Sequence, residues 1–157
     1  LLNIVKAISG TDLNLIVCGK KTKYFKKVND YILKNKLEKQ VFFLENVSME
    51  ELSAIYQLAD IFVYPSLFEG FGIPVIEALF SKTAVITSNC SSLPEAGGEN
   101  SLYVNPENIE DLKSKILFLW NNKSERNRLS ENGFVEVQKF NDQTIAEELM
   151  KVYKKKI

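Results

Sequence analysis

The feature that most constrains this fold is the alternation of short apolar segments with longer helical patterns over the first hundred residues. The short segments are apolar almost throughout, which is typical of strands that helices cover on both faces. The alternation therefore predicts an α/β fold with a doubly wound parallel sheet. The predicted strands are residues 13–18, 41–44, 60–64, 84–87 and 102–104.

Helical patterns fill the segments between these strands and the end of the chain. Ser48 and Glu51 have the spacing of a capping box, in which each side chain accepts a hydrogen bond from the other residue's backbone. Pro74 suits the first turn of a helix, where no backbone donor is needed. Three helices follow the last strand. The predicted helices are residues 1–8, 20–37, 48–58, 74–81, a short turn at 92–97, and 108–120, 124–139 and 142–155.

Composition argues against several classes of function. The 157 residues carry 20 basic and 20 acidic side chains, so a formal net charge of zero gives no case for nucleic-acid binding. The chain has no histidine, which is the usual acid or base near neutral pH. Cys18 and Cys90 form no disulfide framework, so we expect a reducing, cytoplasmic compartment. Cys18 lies in a predicted strand and is expected to be buried.

One loop combines several features of a ligand site. Ligands of open parallel sheets bind beyond the carboxyl ends of the strands. There Glu69 is followed by Gly70-Phe71-Gly72 and the helix that contains Pro74. The glycines let the backbone approach a ligand, the helix N-terminus favours phosphate, and carboxylates accept hydrogen bonds from sugar hydroxyls. Glu77 has a second interpretation, because an early carboxylate also stabilises the helix dipole.

The segment Tyr64 to Leu79 resembles the donor-binding signature of retaining glycosyltransferases of the GT-B, family 4 type. The core of that signature is two glutamates separated by seven residues, here Glu69 and Glu77. Residues 83–106 and 41–51 continue the likeness, and outside about 41–106 it is one of element order. The resemblance implies a Rossmann-like topology, as in the C-terminal half of a GT-B fold with C-terminal helices.

The resemblance also implies roles for individual residues. Glu69 would be the catalytic residue that contacts and positions the donor sugar, and Glu77 would bind the ribose. Val47 would lie near the nucleobase. Gly19 would face the same cleft, and Lys20 is either a phosphate contact or a solvated lysine. The residues whose backbone would contact the sugar and diphosphate are Gly70, Phe71, Gly72 and Ile73.

The resemblance further implies the activity. We expect the donor-binding half of an enzyme that transfers a hexosyl unit from a nucleotide sugar to a saccharide or lipid-linked acceptor, in cell-surface polysaccharide or glycolipid synthesis. No cofactor is expected, and the lack of histidine and of an Asp-x-Asp motif agrees with a metal-free donor site. Residues 1–157 would form one domain. Its first strand and the N-terminal acceptor domain would lie upstream of Leu1, so this chain alone would not turn over.

Two alternatives to this function stay open. The chain could be a non-catalytic module that binds a nucleotide or sugar phosphate, or an epimerase of GT-B type. The spacing of Glu69 and Glu77 argues against the epimerase. A phosphate-receiver module would need an acidic residue at the carboxyl end of a strand, whereas Asp60 begins its predicted strand.

The lysine-rich tail, residues 151–156, also has two interpretations. Its cationic side chains could contact an anionic membrane surface, which would make the protein peripheral to a membrane. Lysines at the end of a solvated helix also stabilise the C-terminal end of the helix dipole. The sequence leaves both interpretations open.

Overall fold

The computed structural model describes residues 1–154, in which five parallel strands alternate with helices. The predicted α/β alternation is therefore confirmed. The strands are β1 (Leu15–Cys18), β2 (Val41–Leu44), β3 (Ile61–Tyr64), β4 (Ala84–Ser88) and β5 (Leu102–Val104). The helices are α1 (Leu2–Ile8), α2 (Phe25–Lys34), α3 (Met49–Leu58), α4 (Ile73–Phe80), α5 (Leu93–Gly97), α6 (Ile109–Asn121), α7 (Lys123–Val137) and α8 (Asp142–Lys154), with a 3-10 turn at Gln138–Phe140.

The start of α2 differs most from the prediction. The helix begins at Phe25 and not at residue 20, so that Lys20 lies in a loop. Lys21 instead lies beside the loop after β2, where its ammonium is 2.8 Å from the Glu45 carboxylate. The Phe25 N–H donates to the Thr22 carbonyl at 2.9 Å and closes a turn before the helix. The end of α2 shifts by three residues, from 37 to Lys34, and the other borders shift by up to two.

The strands hydrogen-bond in two parallel groups. β1 pairs with β2, with Leu15 opposite Val41. β4 lies between β3 and β5, and Ile86 is opposite both Val63 and Leu102. Within residues 1–154, no backbone ladder joins β1 to β3. The two groups are held together by a shared apolar core.

The β3–β4–β5 group is covered on both faces, as the apolar strands predict. Ile61 and Ile86 pack in a core that also contains residues of α1, α2 and α6. Phe62 and Val85 point to the opposite face and pack in a second core with residues of α4 and α5. All five residues of β4 are buried. The alternation of side chains between two cores defines the doubly wound arrangement.

The β1–β2 pair is covered on one face only. Leu15 and Val41 belong to the first core. On the other face the side chain of Ile16 is 52% exposed and that of Phe42 is 45% exposed. Cys18 is also exposed, so the prediction that it is buried is wrong. A continuous apolar run predicts a strand, but it does not show whether helices cover one face of that strand or both.

The cap of α3 agrees with the sequence. The Ser48 N–H donates to the Glu51 carboxylate at 2.8 Å, and the Glu51 N–H donates to the Ser48 hydroxyl at 3.2 Å. This capping box confirms the prediction and stabilises the helix start by about 1 kcal/mol. It fixes the point at which the chain leaves the β2 loop and enters α3.

The C-terminal helix α8 has no buried residue. Its Lys151 ammonium lies 2.6 Å from the Glu148 carboxylate on the helix surface. Lys155 and Lys156, which belong to the lysine-rich tail, lie outside the described residues. Membrane contact of this tail stays a prediction. None of the helices within residues 1–154 has both the length and the apolar character needed to cross a membrane.

Glu136 on α7 holds the segment that follows α5. Its carboxylate accepts hydrogen bonds from the Glu99 N–H at 3.0 Å and from the Asn100 side chain at 2.9 Å. Burial acts to raise the pKa of Glu136, but these hydrogen bonds and the Lys139 charge outweigh it, so the pKa lies below its ordinary value. A Cβ at Gly98 would collide with this carboxylate, which therefore needs glycine beside it.

Acid should weaken the fold through Glu136. Because its folded pKa is depressed, its contribution is present above the ordinary value of 4.5 and is lost as the pH falls through the folded pKa. We expect Glu136→Gln to cost about 1–2 kcal/mol at pH 7, and the deficit to shrink as the pH falls from about 5 to about 3. Thermal unfolding at several pH values measures this, with exposed Glu131→Gln as control. A deficit that is independent of pH would contradict it.

Candidate functional site

The candidate site lies at the carboxyl ends of β3 and β4, where residues 65–72 lead from β3 into α4. Glu69 lies in this loop and Glu77 lies one turn into α4. Gly72 caps α4 with a left-handed φ of +95°, and a Cβ there would lie 2.9 Å from Leu93 Cδ2. Both constraints favour glycine. The packing of Gly72 against α5 thus fixes the loop between the two glutamates.

The backbone of this loop carries a row of unsatisfied donors. Among the described residues, no acceptor bonds to the N–H groups of residues 67–73, and the last four of these, 70–73, lie next to the start of α4. Pro74 has no N–H, and the N–H groups of Val75 and Ile76 both donate to the Gly72 carbonyl, at 2.9 and 3.3 Å. Four successive amides at the positive end of a helix form a site suited to an anion. The structure therefore brings the four predicted backbone donors, Gly70, Phe71, Gly72 and Ile73, together.

Glu69 is fixed from two sides. The Tyr64 hydroxyl donates to Glu69 Oε1 at 2.7 Å. The hydroxyls of Ser91 and Ser92 donate to the Glu69 carbonyl at 2.7 and 3.1 Å. Burial raises the pKa of Tyr64 to about 12, and the hydrogen bond to Glu69 and its charge act in the same direction. Tyr64 therefore stays protonated near neutral pH and remains a donor to the carboxylate.

Glu77 is held in the same way by a residue of α3. The hydroxyl of Tyr56, a side chain that is 7% exposed, donates to Glu77 Oε2 at 3.2 Å. Burial, and then the Glu77 charge, raise the pKa of Tyr56 well above its ordinary value. Phe62 lies between the tyrosines, with ring centroids 5.2 Å from Tyr56 and 5.8 Å from Tyr64. We call these three side chains, Tyr56, Phe62 and Tyr64, the aromatic row.

Hydroxyl groups of β4 attach the loop to the sheet. Thr87 donates to the Tyr64 carbonyl at 2.9 Å, and Ser88 donates to the Ser66 carbonyl. These bonds hold the last residue of β3 and the start of the loop against a fully buried strand. Near the other end of the loop, the ring of Phe71 packs edge-on against that of Phe140, with ring centroids 5.4 Å apart. The loop is therefore tied at both ends.

The other predicted residues lie at the ends of β1 and β2. The Gly19 N–H donates to the Leu44 carbonyl at 3.0 Å, and Gly19 has a φ of +147°. Lys20 is exposed and lines a cavity of about 220 Å³ together with Phe43. Val47 is half-buried just before α3. The structure thus forms two groups, with Glu69, Glu77 and the amides at the ends of β3 and β4 and these three residues at the ends of β1 and β2.

The chain segment that contains the loop carries no positive side chain. Residues 41–81 contain no lysine or arginine. At the end of β1, the Lys21 ammonium lies 2.8 Å from the Glu45 carboxylate, so Lys21 is the lysine fixed there and Lys20 is not. Within residues 1–154, no group of three or more side chains could hold a metal ion. The amides and the helix dipole supply positive potential at the loop, and Lys139 lies beside it, with its ammonium 5.0 Å from the ring of Phe140, the partner of Phe71.

The tyrosines and serines that fix Glu69 and Glu77 were not found from the sequence. Tyr56 lies 21 residues before Glu77, and Ser91 lies 22 residues after Glu69. No periodicity links positions so far apart in different elements. One usable signal was Tyr64 at the end of an apolar strand, where a buried hydroxyl needs a partner.

Alanine at position 72 should destabilise the protein. A side chain would have to adopt the left-handed φ and displace Leu93, which together should cost about 1–3 kcal/mol. Urea unfolding of Gly72→Ala measures the loss. The matched control is Gly70→Ala, since a Cβ there meets no atom within 4 Å. Equal losses in the two variants would contradict this account of the cap.

Residues 1–136 match the family model described as Glycosyl transferases group 1. The O-antigen chain mannosyltransferase RfbU of Salmonella typhimurium is 41% identical over 102 residues, which cover 65% of this chain and 29% of that protein. The chain spans less than half the length of the curated relatives it matches.

Solved structures agree in fold. Sucrose-phosphate synthase from Thermosynechococcus elongatus superposes with a TM-score of 0.88 and 25% identity, over 98% of this chain and 41% of that one. Anabaena HepE, in complex with UDP and glucose, superposes with a TM-score of 0.84 and 20% identity, over 96% of this chain and 44% of that one. The second likeness is one of fold alone.

Proposed function

This chain belongs to the glycosyl transferases group 1 family, and on that premise we propose that it is the donor-binding part of a hexosyltransferase. The donor is a nucleotide sugar. The acceptor is a saccharide or a lipid-linked saccharide, bound by a part of the protein outside residues 1–157. Relatives named as O-antigen chain mannosyltransferases support a hexosyl unit and a role in cell-surface polysaccharide synthesis.

The observation that carries this proposal is the row of four free amides at residues 70–73, flanked by the carboxylates of Glu69 and Glu77. A nucleotide sugar has a diphosphate that accepts hydrogen bonds, between a ribose and a sugar that both donate them. Amides suit the first group and carboxylates suit the other two. The order of acceptors and donors along the chain, carboxylate, amides and carboxylate, thus matches the order of sugar, diphosphate and ribose in the ligand.

In this proposal each residue has a separate role. Glu69 accepts hydrogen bonds from sugar hydroxyls and holds the anomeric carbon in place for the acceptor. Glu77 accepts hydrogen bonds from the ribose diol. The amides of residues 70–73 bind the diphosphate, Val47 lies near the nucleobase, Gly19 faces the same cleft, and Lys20 is a candidate phosphate contact. HepE, which shares the fold, was solved with UDP and glucose.

The chemistry proposed for this chain is electrostatic. When the bond between the sugar and the diphosphate breaks, negative charge grows on the leaving phosphate oxygens. Fixed amides and the N-terminus of α4 stabilise that charge more than they stabilise the ground state, which lowers the barrier. The chain contains no histidine, and none of these steps requires a side-chain base from residues 1–157.

Glu77→Ala should weaken nucleotide binding. Removing two charge-assisted hydrogen bonds to the ribose should lower the affinity for UDP, GDP or ADP at least about tenfold. Isothermal titration calorimetry measures this on the wild type and the variant. Glu131→Ala, which removes an exposed carboxylate on α7, is the matched control. An affinity unchanged by Glu77→Ala would refute its ribose role.

A further inference from the structure

We propose that the hydroxyls of Tyr56 and Tyr64 are positioning groups, each of which holds one oxygen of a donor-site carboxylate so that the other oxygen faces the ligand. The inference rests on the proposed function, since it assigns supporting residues to the same site. Tyr64 acts on Glu69, and Tyr56 acts on Glu77. Neither tyrosine needs to touch the ligand.

The Tyr64 contact determines how Glu69 is presented. Its hydroxyl lies 2.7 Å from Oε1, a short bond between a phenol and a carboxylate. The backbone carbonyl of Glu69 accepts hydrogen bonds from Ser91 and Ser92. Both the backbone and the side chain of Glu69 are therefore fixed. Oε2 has no hydrogen-bond donor among the described residues and is the oxygen available to a sugar hydroxyl.

The Tyr56 contact does the same for Glu77. Its hydroxyl donates to Oε2 at 3.2 Å, and among the described residues Oε1 has no donor. Tyr56 reaches Glu77 from α3, whereas Glu77 lies on α4, so the bond joins two helices that the chain connects through β3. The tyrosine is only 7% exposed, so the packing around its ring restricts where the hydroxyl can lie.

The two contacts share one support. Phe62 packs edge-on against Tyr56 and stacks on Tyr64 with an interplanar angle of 14°. The aromatic row therefore sets the positions of both hydroxyls relative to β3, and through them the separation of the two carboxylates. A ligand that must reach both glutamates gains affinity when this separation is fixed before binding.

Tyrosine suits this role because it stays a donor. Burial raises the pKa of both hydroxyls, so they remain protonated throughout the neutral range. A carboxylate bonded by a neutral hydroxyl keeps its own charge, which a lysine partner would largely neutralise. Glu69 and Glu77 thus remain strong acceptors for ligand hydroxyls even though each has an oxygen occupied.

The test uses two variants and two kinds of ligand. Tyr64→Phe should lower the affinity for a nucleotide sugar about three- to tenfold and leave the affinity for the free nucleoside diphosphate unchanged, because only the sugar contacts Glu69. Tyr56→Phe should lower both affinities by a similar factor, because both ligands carry the ribose. Calorimetry with UDP-glucose and GDP-mannose, and with UDP and GDP, measures the four values.

The control is Tyr103→Phe. Tyr103 is another half-buried tyrosine, whose hydroxyl donates to the Pro94 and Gly98 carbonyls and not to a site carboxylate. This variant should lose stability in thermal unfolding and bind both ligands as the wild type does. A purely structural role for Tyr64 would change the affinities for the two kinds of ligand equally. For Tyr56 the separating readout is the Glu77→Ala background, where a positioning role predicts that Tyr56→Phe lowers the affinities no further and a purely structural role predicts an additional loss.

The outcomes separate the two proposals. If the folded wild type binds neither nucleotides nor nucleotide sugars at millimolar concentration, the proposed function fails. If it binds them and Tyr64→Phe does not discriminate between the sugar nucleotide and the free diphosphate, the positioning role of Tyr64 is overturned. If Tyr56→Phe leaves both affinities unchanged while Glu77→Ala lowers them, the role of Tyr56 is overturned and that of Glu77 stands.

Discussion

The burial of β4 is the constraint on which the rest of the structure depends. Buried backbone groups must be hydrogen-bonded, and β4 meets this requirement with a ladder to β3 on one side and to β5 on the other. Its side chains alternate between two cores, so helices are required on both faces. The hydroxyls of Thr87 and Ser88 extend the same pairing to the chain leaving β3. The site loop is thus attached to the most buried strand.

The free amides of residues 70–73 lie in this loop, next to the N-terminus of α4. A loop that is tied at Ser66, packed at Gly72 and anchored at Phe71 could pair its backbone internally, yet these four donors have no acceptor within residues 1–154. Free donors in a rigid loop need no rearrangement to bind an anion, and rigidity is what makes electrostatic stabilisation effective. The aromatic row extends the same principle to the two carboxylates.

The features that the sequence predicted are local. The Ser48–Glu51 cap and the five strands each depend on residues that are close along the chain. What it did not predict depends on contacts between distant elements. The hydrogen bond from Tyr56 to Glu77 joins α3 to α4. The exposed face of β1 and β2 depends on where the helices pack, which no local pattern specifies. The later start of α2 likewise accompanies a contact between distant residues, the ion pair of Lys21 with Glu45.

The central claim is that the free amides at residues 70–73 bind the diphosphate of a nucleotide. A two-dimensional amide NMR titration of the wild-type chain with UDP or GDP tests it most directly, since it observes these N–H groups themselves. The account predicts that the largest chemical-shift changes fall on Gly70, Phe71, Gly72 and Ile73, and that they saturate with a single dissociation constant. Saturable binding that leaves these four amides unshifted and moves resonances elsewhere would contradict it.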